Sequence, residues 1–303
     1  MKELSQLIVI SVIAIILLPA IITTTLGNHK LADMYRPTTQ KEQEYREEKQ
    51  KLEQQLIEII AKAMPITAQE ESLKAQVIMA RSQLALIGKD PANGEEIPQM
   101  STNEMKELWG SDYKKNYSKI KKAVEDTQGI TLTYLGEPIQ LVYHLQSAGQ
   151  TQSSLDIWDI DVPYLQSVES IADEKAPDLI TKKEYRAQEV IKKINQHYRE
   201  SILEPYSLET QIQIIERTQG GYVKSIQVGK QLMRGDDFRK LLNLRSSYFL
   251  CQYSGDYMSV TTKGVGHGVG LSQYGANEMA KQGKDYEAIL SHYFPGTTLI
   301  QEN

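Results

Sequence analysis

The fold of this chain is decided by the stretch Gly264-Val-Gly-His-Gly-Val-Gly-Leu-Ser-Gln-Tyr-Gly275, which joins a glycine-rich run to the start of a predicted helix. Alternating glycines let a ligand or another backbone approach closely, and His267 projects from this run. Ser272 and Gln273 fall at the helix start, where free N–H groups suit carboxylates and sugar hydroxyls. The stretch is neither a dinucleotide fingerprint nor a P-loop, since it contains neither G-x-G-x-x-G nor Gly-Lys-Ser/Thr. A ligand-binding loop and a packed, glycine-kinked strand are both open as interpretations.

Outward from this stretch, helical stripes alternate with β-hairpin patterns. Apolar residues at helical spacing run from Leu52 to Ala63 and stop at Met64-Pro65. A second helix opens near Gln69 and ends at Gly88. The predicted strands fall in hairpins, two of them around Gly220-Gly221 and Ser254-Gly255-Asp256, rather than in βαβ units, and Asp236-Asp237 starts a short helix between these two hairpins. These patterns predict the α+β class, with helices and β-hairpins arranged around a central groove.

Three further patterns predict local elements. The segment from Gly88 to Ser118 is rich in turn signals and is predicted to be mostly loop. Thr181-Lys-Lys-Glu184 has the form of a capping box and predicts a helix that runs to about Tyr198. A last helix is predicted from about Ser272 to Gln282, ended by Gly283.

The N-terminal residues are predicted to anchor the chain in a membrane. Residues 7–27 carry no charge and are just long enough to span a bilayer as one transmembrane helix. A cleaved signal peptide is the alternative, although the apolar core is long and no good small-x-small site follows. Lys2 favours an N-terminus inside the cell. The predicted organisation is a cytoplasmic tail (1–6), an anchor (7–27), a stalk (28–50) and an extracytoplasmic domain (51–303).

Composition narrows the classes of function. The chain has a formal net charge of −5 and no prominent basic run, so a nucleic-acid partner is not expected. Cys251 is the single cysteine, and its apolar neighbours indicate a buried thiol rather than a nucleophile. His144 and His267 lack a third candidate ligand, so neither a metal site nor a cofactor is predicted.

The glycine-rich stretch is one of several motifs that follow one another in a recognisable order. The others are Ala63-Met-Pro65, Glu71–Gln76, Ala80-Arg81, Val124–Gly129, Tyr143-His144, Ser147–Thr151, Trp158, Pro163–Leu165 and Ala276–Leu299. In order and spacing, this set resembles the stage II sporulation protein D family, which includes the amidase-enhancer proteins. The resemblance extends from about Leu52 to Leu299, nearly the whole predicted ectodomain.

The resemblance implies a peptidoglycan lytic transglycosylase, held by one helix in the membrane of the sporulating cell and active during forespore engulfment. Such an enzyme cuts the N-acetylmuramyl–N-acetylglucosaminyl bond without water. One carboxyl group protonates the leaving oxygen and then accepts a proton from the sugar's own 6-hydroxyl group, which closes a 1,6-anhydro ring. A single acid/base group is sufficient because the substrate supplies the nucleophile.

At the position of the family's acid, a glutamate immediately before Met-Pro, this chain has Ala63. The motifs on both sides keep their register, so no gap restores a glutamate there. A methyl group transfers no proton, and loss of a general acid costs on the order of 10²–10⁴ in rate. The resemblance therefore implies that no catalytic residue is retained, unless Glu58, Glu70 or Glu71 supplies a displaced carboxyl group.

The resemblance also implies a set of glycan-binding residues and partners. No zinc site is implied, because the segment in which some family members carry Cys and His ligands, Gly88 to Gln128, contains neither residue type. The expected partners are peptidoglycan glycan strands and other membrane-anchored cell-wall hydrolases. The candidate binding residues are Arg81, His144, Ser147, Thr151, His267, Ser272, Gln273 and Tyr274.

Three functions from different classes stay open at this point. The domain binds glycan as a scaffold for other wall-remodelling proteins, without the acid. Alternatively, it is an active lytic transglycosylase that uses a displaced carboxylate. In the third possibility, the protein is membrane-anchored and has no glycan role, and the glycine-rich stretch is structural.

Overall fold

The computed structural model describes residues 38–90, 96–198, 204 and 208–301. The predicted tail (1–6) and anchor (7–27) lie outside these residues, and the part of the predicted stalk from Thr38 onward is helical. Within the described ranges, no helix is long and apolar enough to cross a membrane. The chain divides into two compact units, Met1–Gln54 and Gln55–Asn303, and all the sheets belong to the second unit.

Helices occur along the whole described chain. The first ends at Ala63 because Pro65 lacks a backbone N–H and disfavours a helical residue before it. Short 3₁₀ helices cover Gly110–Asp112 and Ile171–Lys175. The α-helices are α1 Thr38–Ala63, α2 Glu70–Lys89, α3 Thr102–Trp109, α4 Tyr113–Asp126, α5 Ser154–Trp158, α6 Ala187–His197, α7 Leu208–Gln211, α8 Gly235–Leu242, α9 Gln273–Lys281 and α10 Tyr286–Tyr293.

The strands form small sheets that are mostly antiparallel. The strands are β1 Ile130–Tyr134, β2 Glu137–Pro138, β3 Tyr143–His144, β4 Ile180–Arg186, β5 Ile212–Arg217, β6 Val223–Val228, β7 Gln231–Arg234, β8 Phe249–Ser254, β9 Tyr257–Lys263, β10 Leu271–Ser272 and β11 Thr298–Gln301. Their orders are β11-β1-β2, β4-β9-β8 and β5-β6-β7, and β3 and β10 form a short parallel pair. This mixture of helices and antiparallel hairpins confirms the α+β prediction.

Helix α2 contributes to two hydrophobic cores of the second unit. Its Ile78 and Met79 pack in a core with Leu271 and Ala276, which flank the start of α9. Its opposite side, including Val77, packs in a second core with the end of α1 and with α4. Because α2 is buried on both sides, it holds the end of α1 and the start of α9 in fixed positions.

The predicted start of a helix at Thr181 is wrong, whereas its predicted end near Tyr198 is confirmed. Residues Ile180–Arg186 form strand β4, which pairs with β9 in an unbroken antiparallel register from Ile180↔Lys263 to Arg186↔Tyr257. The helix begins only at Ala187. The seven consecutive residue pairs between β4 and β9 outweigh the local capping pattern, because tertiary context routinely overrides helix propensity.

The loop predicted from Gly88 to Ser118 is also wrong over its second half, which contains α3 and the start of α4. A capping box initiates α3: the Ser101 hydroxyl accepts from the Glu104 N–H at 3.3 Å, and the Glu104 carboxylate accepts from the Ser101 N–H at 2.7 Å. Near the C-terminus, α9 follows the predicted boundaries closely, but α10 comes after it, so α9 is not the last helix.

Candidate functional site

The glycine-rich stretch before α9 is closely packed against β3 and the residues that follow it. Gly264, Gly266, Gly268 and Gly270 all have positive φ, from 74° to 112°, a region that side chains rarely adopt. A Cβ atom on Gly266 would lie 2.7 Å from the His144 Cβ. The backbone conformation and the close packing therefore require glycine at these positions. This agrees with the interpretation of the stretch as a packed, glycine-kinked segment.

This packing joins three distant segments of the chain. The N–H of Val265 donates to the Gln146 carbonyl at 2.8 Å, and the Gln146 N–H donates to the Val265 carbonyl at 3.1 Å. The Gly266 N–H donates to the Arg245 carbonyl at 2.7 Å. The backbones of Gln146 and Arg245 are thus hydrogen-bonded to two adjacent residues of the glycine-rich stretch, Val265 and Gly266.

Helix α9 begins at the end of this run and is capped by Ser272. The Ser272 hydroxyl accepts from the Gly275 N–H at 3.2 Å and donates to the Asp173 carboxylate at 2.9 Å. Asp173 also accepts from the Ser147 N–H at 2.9 Å. Burial raises the pKa of the Asp173 carboxyl group, and the hydrogen bonds from Ser147 and Ser272 oppose that shift. Asp173 therefore fixes the start of α9, a role that no local sequence pattern signals.

The first side chain of α9 reaches the end of α1. The Gln273 amide nitrogen donates to the Ala63 carbonyl at 2.9 Å. One turn later, the Asn277 side-chain oxygen accepts from the Gln69 N–H at 2.7 Å, just before α2. These two hydrogen bonds place the Ala63-Met-Pro65 motif beside the glycine-rich stretch, although about 200 residues separate them in the sequence.

A cavity of about 370 Å³ opens next to this contact. Ala63 is half-buried and directly precedes the lining residues Met64 and Pro65. The lining contains one carboxylate, Asp178, and one guanidinium, Arg245. The residues that line the cavity are Met64, Pro65, Thr67, Ala68, Leu145, Gln146, Pro177, Asp178, Arg245, Gln273, Tyr274 and Asn277.

The cavity brings together only two of the predicted site residues, Gln273 and Tyr274. Three lining residues that the sequence analysis did not single out are Gln146, Asp178 and Arg245. Each comes from a separate segment, and none belongs to a local pattern that indicates a site. Their proximity depends on the pairing of residues 146 and 245 with the glycine-rich run, which is a tertiary feature.

The side chain of His144, in β3, lies next to that of His267, which belongs to the glycine-rich stretch. Their ring centroids are 5.9 Å apart, and the Trp158 ring lies 5.1 Å from that of His267. The His144 Nδ1 donates to the Val269 carbonyl at 3.1 Å, and the His267 Nδ1 accepts from the Val269 N–H at 3.0 Å. Burial, with a smaller effect from His267, lowers the pKa of His144 to about 3. Burial likewise lowers the pKa of His267 to about 4. Both rings are therefore neutral near pH 7 and supply no acidic proton.

Arg81 does not face the cavity, and this placement corrects its predicted position in the groove. Its side chain is buried, and the guanidinium donates to the carbonyls of Thr127 at 2.6 Å and Ile130 at 2.9 Å. It also reaches the Val124 carbonyl near the end of α4, at 3.3 Å. The cation satisfies carbonyl groups that a helix end leaves free, so Arg81 joins α2 to α4 and β1.

The predicted hydroxyl groups of Ser147, Thr151 and Ser272 are also directed into the protein. Ser147 Oγ accepts from the Gly149 N–H at 3.1 Å, and Thr151 Oγ1 accepts from the Val168 N–H at 2.8 Å. All three side chains are fully buried. The expectation that they present hydroxyls to a sugar is therefore corrected: their hydrogen-bonding capacity is used within the loop structure.

No cluster of three or more His, Cys, Asp or Glu side chains in the described part of the chain could hold a metal ion. His144 and His267 belong to no such cluster among the described residues. The site therefore offers amide, hydroxyl, carboxylate and guanidinium groups for non-covalent binding.

Comparison with known proteins gives the family. The chain is 36% identical over 262 residues to "Stage II sporulation protein D" of Bacillus amyloliquefaciens, a match that covers 82% of this chain and 74% of the relative. The chain belongs to the stage II sporulation protein D family. The family description "Stage II sporulation protein" also matches residues 38–134, which contain Ala63 and α2.

Two other relatives agree with this family. "Stage II sporulation protein D" of Bacillus subtilis (strain 168) is 34% identical over 262 residues, covering 82% of this chain and 74% of that protein. The "Amidase enhancer" of the same organism is 26% identical over 291 residues, covering 80% of this chain and 39% of that protein. The stage II sporulation protein D resemblance predicted from the motifs is thereby confirmed.

Proposed function

We propose that this protein binds peptidoglycan glycan strands during sporulation and takes part in wall remodelling at forespore engulfment without cutting them. The observation that carries this proposal is the hydrogen bond from Gln273 to the Ala63 carbonyl. This hydrogen bond holds the end of α1 beside the cavity, and Ala63 lies at the position where the family resemblance requires an acid. At that position the side chain is a methyl group, which has no proton to donate.

The displaced carboxylates considered above have other partners. Glu70 pairs with Lys122 and with Lys74, and its hydrogen bond with Lys122 is the main cause of its lowered pKa. Glu71 accepts from the Tyr286 N–H at 3.0 Å and pairs with Lys74 at 2.9 Å. A carboxylate whose pKa is lowered by a neighbouring ammonium group, as that of Glu70 is, is a poor general acid. Glu58, the third, is not among the cavity-lining residues.

A second candidate function is an active lytic transglycosylase that uses Asp178. This carboxylate is exposed and lines the cavity with Met64 and Pro65. Its location favours it over Glu58, Glu70 and Glu71 as a replacement for the missing acid. A substitution of Asp178 by asparagine therefore discriminates between the two functions, because it removes the proton and keeps the shape.

The membrane anchor and the partners belong to the same proposal. We propose that residues 7–27 hold the chain in the cell membrane, with the N-terminus inside and the domain from residue 51 outside, where peptidoglycan lies. The uncharged span with Lys2 before it supports this topology. The relative named "Amidase enhancer" supports other membrane-anchored cell-wall hydrolases as partners.

Sedimentation with purified sacculi tests glycan binding. The full-length protein, in detergent, is expected to pellet with sacculi. Gln273→Ala is expected to weaken binding by about tenfold, because the variant loses a polar group of the cavity and the contact that holds its edge. Gln252→Ala, an exposed change on β8, is the matched control and should leave binding unchanged. A wild-type protein that stays in the supernatant would favour the third function, with no glycan role.

A further inference from the structure

The Gln146 side chain is a buried donor without a partner. Its exposed fraction is 5%, and its amide nitrogen makes no hydrogen bond within the described part of the chain. Its backbone is fully engaged with Val265 in both directions. A buried polar group of this kind is costly unless a ligand or water satisfies it. Gln146 lines the cavity, so a rotation of its side chain would bring this donor, which the protein shields, to a ligand bound there.

Arg245 presents a second donor group to the same cavity. Its side chain is exposed, and no carboxylate of the described residues lies within ion-pair distance of its guanidinium. Its carbonyl is held by Gly266, the residue next to the one that holds Gln146. The backbones of Gln146 and Arg245 are therefore hydrogen-bonded to two neighbouring residues of the glycine-rich stretch, Val265 and Gly266.

We propose that Gln146 and Arg245 form a subsite that binds a carboxylate group of the ligand. This inference rests on the proposed glycan-binding function and specifies what part of the glycan is recognised. A guanidinium group matches a carboxylate with two parallel N–H donors, and a buried amide N–H adds a third. The amide oxygen of a neutral sugar would leave the positive charge of Arg245 unpaired.

Asp178 limits where the ligand carboxylate can lie. It is the cavity's own acid, and like charges repel, so an anionic group is expected on the Gln146 and Arg245 side. Sugar hydroxyls, which can donate to Asp178, suit the opposite side. This asymmetry would fix the direction in which a glycan strand enters the cavity.

Peptidoglycan offers two carboxylates that share this chemistry: those of the stem peptide, and the lactyl carboxylate of N-acetylmuramic acid, which is free only where the stem peptide, amide-linked to it, has been removed. The test uses glycan strands with the peptides present, strands with the peptides removed, and both preparations after amidation of their carboxylates. Full-length protein in detergent is titrated with each preparation. Amidation is expected to weaken binding by roughly tenfold or more, because a charged hydrogen-bonded pair is lost. Binding of stripped strands that is lost on their amidation assigns the lactyl carboxylate, and amidation-sensitive binding of peptide-bearing strands alone assigns the stem.

Two variants test the residues themselves. Arg245→Gln and Gln146→Leu are each expected to bind unmodified strands about tenfold more weakly. Both are expected to lose most of the discrimination between unmodified and amidated strands. Arg186→Gln and Gln213→Leu change exposed residues of the same types elsewhere and should keep both properties. Thermal unfolding of all four variants checks that they fold.

The outcomes separate this inference from the proposed function. If the wild type binds unmodified and amidated strands equally well, glycan binding stands and the carboxylate subsite is wrong. If a folded Arg245→Gln retains full discrimination, the subsite is also wrong. If the wild type binds none of the four preparations, the glycan-binding function fails, and the subsite fails with it.

Discussion

At the scale of single residues, the region around the cavity is organised by polar atoms whose partners are backbone groups. Gln273 binds a carbonyl of α1, Ser272 caps α9, and Arg81 binds carbonyls near α4. Side chains that match the family's motifs therefore divide into two groups. Some line the cavity, and others hold the backbone that forms it.

The neighbouring side chains of His144 and His267 make stability depend on pH. The pKa of a histidine in an unfolded chain is about 6.5, whereas burial lowers it to about 3 for His144 and about 4 for His267. Because both folded values are depressed, the unfolded state takes up protons first as the pH falls. The stabilising contribution is present above about pH 6.5 and is lost as the pH falls through about 4 toward 3.

The measurement is urea unfolding of the wild type and of His144→Gln between about pH 7 and about pH 4. The free energy of unfolding of the wild type is expected to decrease more steeply over this interval than that of the variant. The variant is less stable at neutral pH, so the slope rather than the absolute value is compared. Parallel pH profiles would show that His144 is not titrated on unfolding as described.

At the scale of elements, the glycine-rich run is predicted to be intolerant of side chains. Gly266→Ala places a Cβ 2.7 Å from the His144 Cβ and strains a residue with φ of 112°. We expect a loss of about 2 kcal/mol or more in the free energy of unfolding. Gly283→Ala is the matched control, because it has φ of 83° and no atom within 4 Å of the new Cβ. It should lose only about 1 kcal/mol, and equal losses would contradict close packing at Gly266.

Local patterns predicted those elements whose signals lie within one segment. The helix α9, the short helix α8 and the hairpins around Gly220-Gly221 and Ser254-Gly255-Asp256 were predictable, because caps and turn residues act over a few positions. Strand β4 was not predictable from its own residues, since its partner β9 lies about 80 residues further on.

The candidate site was predictable in part for the same reason. Family motifs indicated Gln273, Tyr274 and the Ala63 position, and the structure brings these close together. The same motifs did not distinguish Ser147 and Thr151, which are buried, from cavity residues. Gln146 and Arg245 are adjacent only through backbone hydrogen bonds with Val265 and Gly266, which sequence spacing does not reveal.

At the scale of the whole molecule, the proposed topology has a direct consequence. If residues 7–27 span the membrane with the N-terminus inside, the domain beyond the stalk lies outside the cell. Protease added to intact protoplasts is expected to digest that domain and to leave a cytoplasmic marker protein intact. Full protection of the domain, with digestion only after lysis, would contradict the topology.

Muropeptide release from purified sacculi tests whether this protein keeps a glycan-binding cavity and lacks the general acid. The unmodified full-length protein is expected to release no anhydro-muropeptides above background, while an active lytic transglycosylase releases them from the same sacculi. Ala63→Glu is expected to produce release, because it places a carboxyl group where the Gln273 contact holds the end of α1 beside the cavity. Clear release by the unmodified protein, abolished by Asp178→Asn, would contradict the account and identify Asp178 as the acid.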